Sequence, residues 1–505
     1  MINEIGDITW GTESLWKQFA RWFEMDPESV AVFDGESPIK RIDIYRNVIV
    51  LADQLLQAGI GAGHRVLFDS HTSVDTVVIG LTLSKLGAII CPVNYKLANK
   101  ERQLILERLR PTAYLSQRKE KAAVELVGLK HMYLYVQPSP IVESTSEEET
   151  VLIGFTSGTT GVPKAVPHTA SSLNYASKFC SSIVGLRQGE PIMAISPLTS
   201  AAGWTFNVHI ALSMGHPLIL MGEWNPLKAL ELMDLHKSAW GMCVPTHLLL
   251  MMEAVHSGQW TRHLPSMRAL SVGGSPNSVD IVINANNLLG IQVLRMYGMS
   301  ECLGHASIRL TDSEERKLIY DGVPFPGTHL EAYDSEGKSL PRGEIGEAGV
   351  RGPSLFKGYL PGLGAEQNKR TSDDAFLTGD LIIRDEEGFI RVVGRIKDQI
   401  IRGGFKIDAA EVETALMTHP AIVEAAVVSR PDKLLGERIC AVVSVRANHE
   451  LILDDICSCL KEIGISKAKW PEFLFIVPSL PKTDFGKVDK NRVREIVLKE
   501  DQTHA

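Results

Sequence analysis

Residues 156 to 164 read TSGTTGVPK: two glycines, four hydroxyl side chains, a proline and a lysine in nine positions. Such a run has too little side-chain bulk to build a core. It does offer backbone N–H groups, hydroxyl donors and one cation to a ligand beside it, and a phosphate satisfies all three. The Walker A spacing GxxxxGK[ST] is not met, because Lys164 follows Pro163 and no helix signal comes after it. The bland alternative is an ordinary surface hairpin, and the nine residues by themselves leave both readings open.

The flanks VLIGF and AVPHT are strand-like, which predicts a strand, loop, strand unit. Elsewhere apolar runs of strand length alternate with helix-length stretches. RVLFDS at 65–70 precedes SVDTVVIGLTLSKLGA at 73–88, and RALSVGGSP at 268–276 precedes a helical stretch and then IQVLRMYGMSE at 291–301. That alternation predicts layered, parallel α/β structure. From about Leu310 to Gly394 short strands broken by Gly and Pro predict a small antiparallel β unit. A compact α+β unit follows, with a domain boundary near Arg395 to Asp398. The expected architecture is therefore α/β, with an N-terminal domain over 1–395 and a small C-terminal domain over 398–505.

The 505 residues carry a net charge of −8, with 44% hydrophobic and 22% charged residues, as in an ordinary globular protein of more than one domain. Scattered Lys and Arg argue against nucleic acid and against an anionic membrane surface as partners. The most apolar stretch, near Val77 to Val93, is interrupted by Ser84 and Lys85. Seven cysteines form no paired framework, and Cys457 and Cys459 lack the CxxC spacing. With no secretory signal visible, the expectation is a cytoplasmic protein with reduced thiols that acts on a small molecule.

Six stretches in order carry a resemblance: TSGTTGVPK, GGSP (273–276), YGMSE (297–301), TGD (378–380), GRIKDQIIRGGFKIDAAEVE (394–413) and PKTDFGKVDK (481–490). Together they resemble the motif set of the adenylate-forming superfamily, which includes acyl-CoA synthetases, peptide-synthetase adenylation domains and beetle luciferases. The likeness covers essentially the whole chain. From GRIKDQ onward it looks most similar to free-standing ligases that activate aryl acids for siderophore assembly.

The resemblance implies a reaction in which a carboxylate attacks the α-phosphate of ATP, followed by thiol attack on the acyl-adenylate. Two anions must meet, so the protein's task is positioning and charge stabilisation. A pair of unit charges at 4 Å interacts by about 4 kcal/mol at an effective dielectric near 20, enough for one lysine to change a rate by orders of magnitude. Lys487 matches the family's adenylation lysine. Thr156, Ser157, Gly158, Thr159, Thr160, Gly161 and Lys164 would embrace the β and γ phosphates. Asp380 would accept the ribose hydroxyls, with Arg395 also reaching the nucleotide. Tyr297, followed by Gly298, would lie against adenine, with Gly274, Ser275 and Pro276 on its other face. Glu301 would hold Mg²⁺. Lys397 matches the hinge about which a mobile C-terminal domain swings, and Gly403 with Gly404 would line the thiol path.

Two departures bear on the substrate. Ser300 stands where the family has Thr, keeping the hydroxyl, so it is retained with Lys487 and Glu301 in the catalytic set. In SPLTSAAGWTF (196–206), Ser200 and Ala201 replace the usual His or aromatic residue and the Asn of the siderophore ligases. Trp204, Phe206, Val272 and Met299 then suggest an apolar acid pocket, with one polar contact from Ser200. No acidic residue lies between Ser196 and His209, so a substrate ammonium would be unpaired there. The expected substrate is a small carboxylic acid without an α-amino group. The expected activity is an ATP-dependent acid:thiol ligase using CoA. The alternatives are the phosphopantetheine of a carrier protein as acceptor, a non-catalytic acyl-adenylate-binding protein, or a luciferase-like oxygenase.

Overall fold

The computed structural model describes residues 11–119, 124–130, 132–136, 150–156, 163–274, 279–363, 369–446, 449–483 and 487–501. The architecture is mixed α/β: a large N-terminal domain of several sheets is followed by a smaller α+β domain.

The site is positioned by a nine-stranded sheet whose centre is parallel. The strands Leu218–Leu220, Ile192–Met193, Trp240–Cys243, Ala269–Gly273 and Gln292–Met299 lie side by side in that order. Running the same way, they bring Ser196, Val244, Gly274 and Ser300 to one carboxyl-terminal edge, where open α/β sheets bind ligands. A seven-stranded sheet contains Arg65–Ser70 at its centre and ends in the antiparallel pair Thr150–Thr156 and Lys164–Thr169. The expected strand, loop, strand unit is therefore present, with Thr156 opposite Lys164.

Helices fill the layer between these sheets. Val74–Leu86 starts at Ser73, whose side chain accepts from the Thr76 amide, and ends at the left-handed Gly87. Every residue from Thr76 to Leu83 is buried, so this helix is apolar on all faces and packed on both sides. At Gly80 a Cβ would fall 2.6 Å from Cζ2 of Trp204, so only glycine leaves room for the outer end of the indole there.

The Gly- and Pro-rich stretch forms a four-stranded antiparallel sheet from His329–Tyr333 to Ile390–Arg395. A short 3-10 turn, Ile396–Asp398, leads into the five-stranded sheet that begins with Gln399–Arg402. The C-terminal unit has its own apolar clusters, one around Val412, Leu416, Ile439 and Leu460 and another around Val428, Leu480, Val493 and Val497. It meets the N-terminal part through polar contacts, among them Arg446 to Glu253 at 2.6 Å.

Candidate active site

Asp380 and Arg395 face each other across neighbouring strands. The Arg395 Nε donates to Asp380 Oδ1 at 2.6 Å, and the Tyr297 hydroxyl donates to Asp380 Oδ2 at 2.9 Å. Thr378 lies 3.3 Å from the same hydroxyl and accepts from the Asp380 amide at 3.1 Å. Asp380 is 3% exposed, so the carboxylate is held in one orientation. Its lone pairs outnumber these two donors, which leaves capacity for further hydroxyl donors. Burial, with Asp380 next to it, drives the Tyr297 phenol far above its usual range and keeps it a donor. His305 packs edge-on against the Tyr297 ring at 4.6 Å, and burial holds its imidazole neutral, pushed down to about 3.

Glu301, 6% exposed, accepts a hydrogen bond from Tyr359, and the ammonium of Lys164 lies 5.1 Å from the centre of that phenol ring. The lysine of the Gly-rich run is thereby tied to the carboxylate of YGMSE through one tyrosine. Ser300 is fixed from behind: its carbonyl accepts from His168 Nε2 at 2.8 Å. Burial pushes His168 down to about 4, so the ring is neutral and carries its proton on Nε2. Neither His168 nor Tyr359 was singled out in the sequence. His168 sits four residues past Lys164 on the same strand, and that spacing was the available signal.

Lys487 reaches this constellation from the C-terminal unit. A Cβ on Gly274 would lie 2.9 Å from Lys487 Cε and 3.0 Å from Nζ, so the lysine occupies the space above a glycine at the sheet edge. Gly274 has φ +88, a conformation that favours glycine. Burial and the neighbouring Arg395 push the ammonium down to about 8, against the attraction of Asp380 and Glu301. Lys397 is also lowered, by burial and by Arg395. Four cations, Lys164, Arg395, Lys397 and Lys487, and two carboxylates thus converge where the edge of the nine-stranded sheet, the four-stranded sheet and the C-terminal unit meet.

Ser157, Gly158, Thr159, Thr160, Gly161, Ser275 and Pro276 lie outside the described residues. Of the other expected residues, Thr156, Lys164, Gly274, Tyr297, Gly298, Ser300, Glu301, Asp380, Arg395, Lys397 and Lys487 are gathered at this edge. Gly298 packs so closely that a Cβ there would sit 3.1 Å from the Gly304 amide nitrogen. Gly403 and Gly404 stand apart: both have positive φ and form the exposed two-residue turn between Gln399–Arg402 and Phe405–Asp408.

The apolar residues expected to line the acid pocket lie in three clusters. Ser200 is a helix cap, its hydroxyl accepting from the Gly203 amide at 2.8 Å. Trp204 and Phe206 belong to the main core between the two sheets, whereas Val272 packs in the cluster on the opposite side of the nine-stranded sheet. Met299 packs beside Tyr297 in a third cluster. Alternation along the strand explains the split, since Val272 points away from the face that carries Ser271 and Gly273. The segment also holds a π-helical turn, Trp204–His209, from which the Asn207 side-chain Nδ2 donates back to the Gly203 carbonyl at 2.8 Å. Such turns cluster at functional sites.

Mg²⁺ is the remaining group that the family implies. No three His, Cys, Asp or Glu converge among the described residues. A single buried carboxylate, Glu301, suits a cation held mainly by water and phosphate oxygens.

The sequence pattern described as AMP-binding enzyme matches residues 19–360, and that described as AMP-binding enzyme C-terminal domain matches 411–487. The chain is 29% identical to enterobactin synthase component E of Escherichia coli (strain K12), over 93% of this chain and 92% of that one. It is 27% identical to the medium-chain fatty-acid–CoA ligase of the same organism, over 97% and 91%. In fold it is similar to the anthranilate CoA ligase AuaEII in complex with anthranoyl-AMP, with a TM-score of 0.84 and 21% identity, over 96% and 97% of the two chains. Among the described residues no helix is long and apolar enough to cross a membrane.

Proposed function

The chain belongs to the AMP-binding enzyme family of AMP-forming acid ligases, and from that premise we propose that it joins a small carboxylic acid to a thiol by way of an acyl-adenylate. The observation that carries this reading is the placement of Lys487 over Gly274, within the field of Arg395, Asp380 and Glu301.

In the first step the acid's carboxylate attacks the α-phosphorus of ATP, a new C–O–P link forms, and pyrophosphate leaves with the electrons of the broken P–O bond. Lys487 places its ammonium where charge builds on the phosphoryl oxygens and the attacking carboxylate. Asp380, oriented by Tyr297 and Arg395, accepts the ribose hydroxyls, and the Tyr297 ring lies against adenine. Thr156 and Lys164 hold the phosphate end. Glu301, fixed by Tyr359, would hold Mg²⁺, which neutralises phosphate charge when it accompanies the nucleotide.

In the second step a thiolate adds to the acyl carbon, AMP leaves, and a thioester forms. The C-terminal unit turns about Lys397, withdrawing Lys487 and bringing the Gly403–Gly404 turn to the acyl carbon. CoA is the proposed acceptor, supported by the likeness to the fatty-acid–CoA ligase. With no acidic residue between Ser196 and His209, the acid is one without an α-amino group. The test is pyrophosphate release across a panel of acids, with CoA consumption followed in parallel. Release without CoA consumption would point to a carrier-bound thiol, and faster release with α-amino acids than with their des-amino counterparts would overturn the acid assignment.

A further inference from the structure

Gly394 precedes Arg395 at the end of the four-stranded sheet and is buried. A Cβ there would fall 2.5 Å from Cγ and 2.6 Å from Oδ1 of Asp408, distances that real Cβ atoms essentially never show. Asp408 belongs to the C-terminal unit, so its carboxylate occupies the place of the side chain that Gly394 lacks. It cannot simply swing aside. Its Oδ1 accepts from the Ala410 amide at 3.0 Å, capping the helix Ala409–Leu416. The strand that carries Gly394 also carries Arg395, bonded to Asp380, so the seat is one residue from the nucleotide constellation.

We propose that Gly394 is a seat for Asp408 and that, through it, Asp408 positions the C-terminal unit so that Lys487 reaches Gly274. Asp408 is thus a positioning residue of the adenylate-forming step. The inference rests on the two-step reading above for its catalytic consequence, but not for its geometry.

The surroundings add a direction. Lys490 bridges Glu413 at 2.8 Å and lies 3.9 Å from Asp398, while Arg494 holds Asp398 at 3.3 Å. Burial pushes the Asp408 carboxyl up to about 6, aided by Glu411 and Glu413 and opposed by the Ala410 amide and Lys490. A carboxyl raised in the seated arrangement favours that arrangement when protonated, so seating weakens as pH rises through about 6. An amide in place of the carboxylate keeps the cap and removes the charge, and so seats at any pH.

The experiment uses the full chain with nitroxides on cysteines introduced at the exposed positions Leu56 and Leu434, in a background with Cys457→Ser and Cys459→Ser. Gly394→Ala is expected to shift the inter-domain distance distribution away from the seated value. It is also expected to lower acid-dependent ATP–pyrophosphate exchange about tenfold or more, while thiolysis of supplied acyl-AMP stays within about threefold. Asp408→Asn is expected to keep the seated distance and the exchange, and to abolish the loss of seated population between about pH 4 and about pH 7. Gly394→Ala with unchanged distances would overturn the proposal, as would Asp408→Asn behaving like Gly394→Ala. If no acid supported exchange in the wild type, the functional reading would fail, and the distances would still decide whether the seat exists.

Discussion

The Tyr297 hydroxyl donates to Asp380 Oδ2 at 2.9 Å while Arg395 takes Oδ1, so the carboxylate proposed to hold ribose is aimed by the ring proposed to hold adenine. Asp380→Ala removes the shared acceptor of two donors and of the ribose. With hydrogen bonds to a charged group contributing about 1.5–3 kcal/mol, the KM for ATP should rise about 10- to 100-fold. Tyr297→Phe keeps the ring and should cost less, about 3- to 10-fold. An unchanged KM in Asp380→Ala would remove this residue from the nucleotide site.

Tyr359 links Lys164 to Glu301. Tyr359→Phe preserves the ring beneath the lysine and removes only the hydroxyl. Acyl-AMP formation should fall about tenfold and the Mg²⁺ concentration for half-maximal rate should rise, because Glu301 loses its fixed orientation. A titration of rate against Mg²⁺ checks this, and an unaltered midpoint would separate Glu301 from the metal.

Lys487 is proposed to work as a cation, and burial with Arg395 beside it pushes its ammonium down to about 8. A lowered value means that the working, protonated form is lost as pH climbs through about 8. Acyl-AMP formation in rapid-quench experiments should therefore show an alkaline limb near that value. In Lys487→Arg, whose side chain stays charged, the residual activity should lack the limb. A limb that persists in the arginine variant belongs to another group.

Much of this was legible locally. Arg65–Ser70 follows from an apolar run, Val74–Leu86 from the helix-length stretch after it, and the strand pair around the Gly-rich run from its apolar flanks. The order of the nine-stranded sheet was not, because its neighbours are non-consecutive and are chosen by packing rather than by local pattern. Val272 and Trp204 are both apolar and near a motif, yet strand alternation turns Val272 to one side of the nine-stranded sheet while the π-helical turn buries Trp204 in the core on the other. Tyr359 stands alone in a Gly- and Pro-rich stretch, and its role comes from a carboxylate far away in sequence. What Asp408 is seated on comes only from the fold.

Gly404 has φ +85 and open space where a Cβ would be. Gly404→Leu should leave acyl-AMP formation within about twofold and slow thioester formation about tenfold or more, so that acyl-AMP accumulates. Gly404→Asn, which tolerates the left-handed conformation, controls for backbone strain. Thioester formation at the wild-type rate in Gly404→Leu would take this turn out of the thiol path.

The proposed role of Lys487 over Gly274 is in acyl-AMP formation alone. It is tested by measuring both half-reactions in Lys487→Ala: acid-dependent pyrophosphate release, and thioester formation from supplied acyl-AMP. Losing one preorganised cation should slow the first about 100- to 1,000-fold and leave the second within about threefold. Equal loss of both, or of neither, would rule out that role.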